Sequence, residues 1–316
     1  MTSYKELSQY RRKFLAMTGY TVEEFEALLP SFRVQFEAYV KSHKLNGKPR
    51  GKRRYTDYKN SPLPTIEDKL LFILIYLKQG HLQEAHATFF GMHQSDANRW
   101  IHLLHRLLNQ TLAALGELPA RQAEELGPAL EPAQLEADEV EVMVFFHDGT
   151  ERPIVRPKDQ AVQRLYYSGK KRQHTLKNIV LINTLCKIIF LTLTCEGKKH
   201  DKKATDEAAY ELPEGSSLYQ DTGFQGFSRA GVTIIQPKKK PSGQELTADD
   251  KENNRLISKI RIRVEHAIGG VKRYRIVKDK LRTWKSNFRD KVMETCCGLH
   301  NFRLNFRPWH YDTVQI

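Results

Sequence analysis

Three acidic residues stand in distinctive settings far apart in the chain. Asp148 lies in His147-Asp148-Gly149-Thr150-Glu151-Arg152, Asp221 in Tyr219-Gln220-Asp221-Thr222-Gly223-Phe224-Gln225-Gly226, and Glu265 in Arg261-Ile262-Arg263-Val264-Glu265-His266-Ala267-Ile268. Carboxylates that converge from distant segments form an oxygen cage for hard divalent cations. Two-metal catalysis on phosphodiesters needs ions roughly 3.5–4 Å apart, with positions left open for water and phosphate oxygens. Two Mg²⁺ or Mn²⁺ ions held by Asp148, Asp221 and Glu265 are the chemistry this set would support. Singly, an Asp at a strand end is usually a cap and a Glu among arginines usually a surface ion pair. The ordered set with its neighbours carries the expectation.

Those neighbours are basic. Arg261, Glu265 and Lys272 fall at i−4, i and i+7, which places them on one face of a helix. Arg261 and Lys272 are thus placed to hold a nucleic-acid strand beside Glu265. Gly269-Gly270 costs about 1 kcal/mol of helix stability per glycine relative to Ala, which marks a close approach of backbone or DNA, or a helix end. Gly223 and Gly226 suggest a tight turn exposing Asp221.

The elements that must position these groups are legible in outline. Residues 140–146 are β-rich and lead into Asp148, so Asp148 is expected at a strand end. Residues 176–182 and 188–194 read as a hairpin. Residues 217–219 form a short strand before Asp221, and 232–235 another. Residues 237–253 are polar and basic, and helices follow at 254–275 and 288–305.

The first half is helical. Two helices are expected in residues 1–42, the second opened by a capping box at Thr21-x-x-Glu24. Residues 43–60 form a basic linker with Lys44, Lys48, Arg50, Lys52, Arg53 and Arg54, readable as a phosphate-gripping arm or as a solvated hinge. Thr65 and Asp68 cap a helix whose interior, residues 70–77, is apolar nearly all round, as in the core of a bundle. Gly80 ends it. A short helix at 82–90, a turn at Gly91-Met92-His93 and a helix from about Ser95 complete a helix-turn-helix pattern. Its last helix would present Gln94, Asn98, Arg99 and His102 outward to base edges or phosphates.

Charge agrees with a polyanionic partner. The chain has 316 residues with 51 Lys and Arg against 37 Asp and Glu, a formal net charge of +14. Such a balance, clustered as here, points to nucleic acid. The cysteines, Cys186, Cys195, Cys296 and Cys297, form no Cys-x-x-Cys pair and no zinc spacing. With no signal-peptide pattern, a reducing cytoplasmic setting is expected, and no membrane span. No ATP-binding glycine loop or Ser/His/Asp arrangement suggests other chemistry.

At the three acidic motifs the sequence resembles the DDE transposases of bacterial insertion sequences, whose catalytic domain is shared with Harbinger-type elements. Residues 148–154 resemble the first acidic motif and 167–178 the segment after it. Residues 221–226 match the second motif and 261–272 the third, where Arg, Glu and Lys recur at this spacing. Related proteins often carry Tyr three residues before that Arg, where this chain has Ser258. The resemblance covers roughly 145–305, with a weaker match to the helix-turn-helix at 62–110.

The resemblance implies an α+β fold: an all-helical helix-turn-helix domain followed by an RNase H-like mixed five-stranded sheet flanked by helices. The expected boundaries are 1–60 for the N-terminal helices and basic linker, 61–116 for the helix-turn-helix, 117–138 for an acidic connector and 139–310 for the catalytic domain. It also implies binding of terminal inverted repeats in double-stranded DNA, cleavage of element ends and joining of the 3′-hydroxyl to target DNA. Arg152, His174, Lys177, Arg261 and Lys272 are then candidate DNA contacts. A homodimer and association with the bacterial nucleoid are further expectations. A structure-specific nuclease on the same core, or a DNA-binding regulator whose enzyme domain has lapsed, are the alternatives.

Overall fold

The computed structural model describes residues 2–58, 60–130, 143–283 and 285–311. The helices of the first part are α1 (Tyr4–Leu7), α2 (Arg11–Thr18), α3 (Val22–Ser42), α4 (Ile66–Gln79), α5 (Gln83–Phe89) and α6 (Gln94–Ala114). Then come α7 (Ala123–Leu130), β1 (Val144–Pro153), α8 (Gln160–Tyr166), β2 (Tyr167–Ser168), β3 (Gln173–Ile182), β4 (Ile188–Leu191) and β5 (Cys195–Glu196). The chain continues with α9 (Asp201–Ala208), β6 (Ser217–Tyr219), a 3-10 turn (Thr222–Phe224), β7 (Thr233–Ile235), α10 (Ala248–Val271), α11 (Arg275–Lys278) and α12 (Ser286–Leu304).

Contacts divide the chain into two compact units, one of Met1–Leu118 with Val271–Phe306, the other of Pro119–Gly270 with Arg307–Ile316. The first is helical. Its caps are those expected: Thr21 and Glu24 close a capping box, the Thr65 hydroxyl accepts from the Asp68 amide at 3.1 Å, and Gly80 takes the left-handed conformation at φ +63°. Every residue from Leu70 to Leu77 is buried. The early segment holds three helices where two were expected, because the stretch before the Thr21 cap is split between Ser8, which ends α1, and Tyr10, which starts α2.

The last helix belongs to this unit. The Asn109 amide donates to Glu294 at 2.8 Å and to Thr295 at 3.0 Å, and His105 meets the Thr295 hydroxyl at 3.0 Å. Both sides of that contact are buried, with Leu104, Leu108, Val292 and Cys296 at zero exposure. The packing therefore assigns 271–306 to the helical unit, where the sequence expectation ran a catalytic domain unbroken from 139 to 310.

The basic segment after α3 is moored at both ends. The Arg50 guanidinium donates to the His43 carbonyl at 2.9 Å. Further on, Asp57 pairs at 2.8 Å with Lys69, whose side chain is fully buried. Lys52, Arg53 and Arg54 are exposed between these moorings.

The second unit is a mixed sheet with flanking helices. Its main strands run in the order β4-β3-β1-β6-β7, with β2 and β5 also paired to β3. β1, β3 and β4 are antiparallel neighbours, while β6 and β7 run parallel to β1. The sheet is mixed and flanked by helices, as the resemblance implied, but has seven strands where five were expected, because β2, β5 and β4 pair with successive stretches of β3. Phe145, Ile179, Leu181 and Leu218 face a buried cluster completed by Ala204, Tyr210, Phe224 and Phe227. The acidic connector holds a helix, α7, over Ala123–Leu130, and its residues 131–138 lie outside the described residues.

One strand boundary differs from expectation. β1 does not stop before Asp148 but runs on to Pro153, because Asp148–Pro153 pair with Thr175–Val180 of β3. Only its pairing with β6 stops early, at Phe146 opposite Tyr219. Asp148 therefore lies where β1 keeps one neighbour and loses the other. Such points in α/β sheets open crevices at the carboxyl ends of parallel strands.

Candidate active site

Parallel pairing sets the two aspartates level. From the Phe146–Tyr219 pair, each acid lies two residues further along its own chain. Side chains alternate across a strand, so Asp148 shares the sheet face of Phe146, whose ring stacks on Tyr219 at 5.3 Å. Asp221 follows β6 as the cap of the 3-10 turn, where its Oδ1 accepts from the Thr222 amide at 2.8 Å.

The residues just before each acid are tied together on the opposite face. His147 and Gln220 are both fully buried, and the imidazole Nε2 meets the Gln220 carbonyl oxygen at 2.9 Å. His147 Nδ1 meets the Tyr210 hydroxyl at 2.8 Å, and Gln220 donates to Gln236 at 2.6 Å. Between a carbonyl acceptor and a hydroxyl donor the neutral imidazole satisfies both partners. Burial holds it neutral by pushing its pKa down to about 3. The ring also stacks on Phe224 at 4.0 Å, which anchors the 3-10 turn after Asp221.

A cation from α10 faces both acids. The Arg261 guanidinium lies 3.9 Å from Asp148 Oδ2 and 3.7 Å from Asp221 Oδ1. Arg261 is largely buried, as is Arg263, which lies over the Phe146 ring at 5.8 Å. Burial pushes the Asp148 carboxyl up to about 6. Arg261 and the Gly149 amide oppose that rise, while the charges of Asp221 and Asp201 add to it. Glu265 lies one turn beyond Arg261, on the exposed side of α10.

Among the described residues, no group of three or more His, Cys, Asp and Glu side chains is gathered closely enough to hold a metal ion. The pair Asp148 and Asp221 nevertheless suits a divalent cation. It offers hard oxygen donors, and a carboxyl raised by burial and by like charge is one that added positive charge would stabilise.

The remaining expected contacts divide. Arg152 is not available to DNA: it is fully buried and donates to Asn178 at 2.8 Å and Thr194 at 3.0 Å. Lys177 is likewise buried, pairing with Asp201 at 2.8 Å and donating to the Lys199 carbonyl at 2.6 Å. Arg152 lies opposite Leu176 and Lys177 opposite Glu151, so the two side chains leave opposite faces of the sheet, and each is covered by its own partners. His174 is half-buried against the Tyr167 ring. Lys272 lies one residue past the end of α10 and groups with the helical unit, whereas Arg261 groups with the sheet.

In the helix-turn-helix, Gln83 of α5 gathers the start of α6. Its side-chain oxygen accepts from Gln94 at 2.6 Å and Asn98 at 3.0 Å. Arg99 is exposed and pairs with Asp96. His102, expected to point outward, instead packs edge-on to Phe288 at 5.2 Å. Burial and the nearby Lys285 lower its pKa. The sequence reading missed His147, Gln220 and Asp201. Its signal for the first two was available, since each immediately precedes an acid of the set.

Two family models define the class of protein, an endonuclease with its own helix-turn-helix. The family model described as DDE superfamily endonuclease matches residues 147–301, and that described as helix-turn-helix of DDE superfamily endonuclease matches 61–114. The chain is 25% identical over 295 residues to a protein of Microchaete diplosiphon named as the probable transposase for insertion sequence element IS702, covering 93% of this chain and 95% of that one. It is 25% identical over 216 residues to a protein of Streptomyces albus G named as the putative transposase for insertion sequence element IS112, covering 68% of this chain and 72% of that one. No solved structure matches the chain significantly. The chain belongs to the DDE-type insertion-sequence transposases with an N-terminal helix-turn-helix. No helix among the described residues is long and apolar enough to cross a membrane.

Proposed function

We propose that the protein binds the terminal inverted repeats of an insertion sequence, cleaves the element ends and joins the freed 3′-hydroxyl to target DNA. The observation that carries this is the level placement of Asp148 and Asp221 two residues past a parallel strand pair, both facing one guanidinium. Asp148, Asp221 and Glu265 would hold two Mg²⁺ or Mn²⁺ ions. Bound there, the ions would lower the pKa of the attacking water or 3′-hydroxyl and offset charge on the leaving oxygen.

The chain's own residues prepare that site. The His147–Gln220 bond keeps the two acid-bearing segments in register from the buried side. Arg261 offsets the mutual repulsion of Asp148 and Asp221 and is placed to meet a phosphate oxygen of the scissile strand. Glu265, exposed one turn beyond Arg261, would join the two aspartates when the ions bind. Gln94, Asn98 and Arg99 read or grip the inverted repeat from the start of α6. Work at two element ends calls for a homodimer.

The test is cleavage of a duplex carrying the inverted repeat that flanks the gene, in Mg²⁺ or Mn²⁺. Asp148→Ala, Asp221→Ala and Glu265→Ala should each abolish cutting and strand transfer while leaving the gel shift intact. Retained cutting by any variant removes that residue from the set.

A further inference from the structure

Asp201 opens α9, and its carboxylate lies against both acid-bearing segments at once. A Cβ added to Gly149 would stand 2.9 Å from Asp201 Oδ1 and 3.0 Å from its carboxyl carbon. A Cβ added to Gly223 would stand 3.2 Å from Asp201 Oδ2. The glycine one residue after Asp148 and the glycine two residues after Asp221 therefore both admit the same side chain. Neither has a positive φ, so close approach rather than backbone conformation is what each supplies.

Asp201 is itself held in place. Lys177 Nζ meets its Oδ1 at 2.8 Å. The same ammonium donates to the Lys199 carbonyl at 2.6 Å, just ahead of α9, and lies 4.0 Å from Glu151 of β1. Thr205 donates back to the Asp201 carbonyl at 2.9 Å. A largely buried lysine thus ties β3, β1 and the start of α9 together, with the Asp201 carboxylate wedged between Gly149 of β1 and Gly223 of the 3-10 turn.

We propose that the Lys177–Asp201 ion pair is a positioning brace that sets the separation of the Asp148 and Asp221 carboxylates. The inference rests on the reading of those two aspartates as metal-holding groups. Removing Lys177 takes away the cation beside the Asp201 carboxylate, and removing Asp201 leaves the ammonium with only the more distant Glu151 carboxylate, so in either case the wedge relaxes. Outer groups that orient metal-holding side chains typically change metal affinity or activity about 10–100-fold when removed.

The experiment titrates the full chain with Mn²⁺ by calorimetry and measures kcat and KM for inverted-repeat DNA, at a temperature where circular dichroism shows each variant folded. Asp201→Asn and Lys177→Met should each weaken Mn²⁺ binding and lower kcat about tenfold or more, with KM for DNA unchanged. Gly149→Ala should do the same, by displacing the carboxylate. Lys177→Arg, which can keep the pair, should stay near wild type. A brace that served folding alone would lower the melting temperature and leave Mn²⁺ affinity and kcat at wild-type values. That outcome overturns the proposal while the wild-type protein still binds Mn²⁺ and cuts. A wild-type chain that binds no Mn²⁺ overturns the metal-holding reading itself, and the brace with it.

Discussion

His147 carries no charge and touches no substrate, yet it fixes where the neighbouring acid can go. Its two ring nitrogens are both engaged by buried partners, Tyr210 and Gln220. In His147→Phe the ring could still stack on Phe224, but the hydroxyl and the amide would lose their partner. Each buried polar group left unsatisfied costs about 1–3 kcal/mol, so a loss of about 3 kcal/mol in unfolding free energy is expected. Urea denaturation of the two proteins measures it. A loss well below 1 kcal/mol would mean that solvent already reaches this network. Arg152 shows the opposite lesson. Beside an acid in a polar stretch it reads as a DNA contact, but its pairing with Asn178 and Thr194 is decided by residues 26 and 42 positions away.

At the scale of elements, helix ends are legible in the sequence and strand pairings are not. Thr21 with Glu24, Thr65 with Asp68, and Gly80 each determine a helix end through atoms within four residues, so the sequence displays them. The far end of β1 depends on β3, and charged residues at Glu151-Arg152 disguise a strand whose polar groups are satisfied by its neighbour. The approach of Asp201 to both acid-bearing turns is likewise invisible in one dimension. On α10 the spacing puts Arg261 on the face of Glu265 but does not show that its guanidinium lies between Asp148 and Asp221, nor that Lys272 lies past the helix end.

The basic segment yields a prediction of the same scale. Lys52, Arg53 and Arg54 are held by moorings at Arg50 and Asp57, which lowers the entropy lost if they close on phosphates. Each phosphate contact adds about 0.9 to the slope of log K against log salt on duplex DNA. Replacing all three by Ala should therefore reduce that slope by about 2–3 for specific and unrelated duplexes alike. An unchanged slope assigns the segment to the solvated hinge.

At the scale of the whole molecule, both units carry buried neutral histidines. Burial pushes His86 down to about 3, His105 to about 4 and His147 to about 3, from an ordinary value of 6.5. Between pH 6.5 and about 4 the unfolded chain binds protons at these positions that the native chain does not, so stability falls as pH falls. By pH 5 each such histidine should cost about 2 kcal/mol relative to neutral pH. Asp148, raised to about 6 from 3.8, works in the other direction over that window. The histidines outnumber it, so the melting temperature should drop steadily below pH 6.5. A melting temperature flat from pH 7 to 5 would contradict the burial of these rings.

A net charge of +14 favours polyanions in general, and in the proposed function selection would come from the helix-turn-helix and chemistry from what the paired aspartates would hold. Anomalous scattering from crystals grown with Mn²⁺ addresses that directly. A manganese peak coordinated by both Asp148 and Asp221, with the Arg261 guanidinium moved off their oxygens, is the expected result. Electron density that keeps Arg261 between the two carboxylates in saturating Mn²⁺, with no peak beside them, would contradict it.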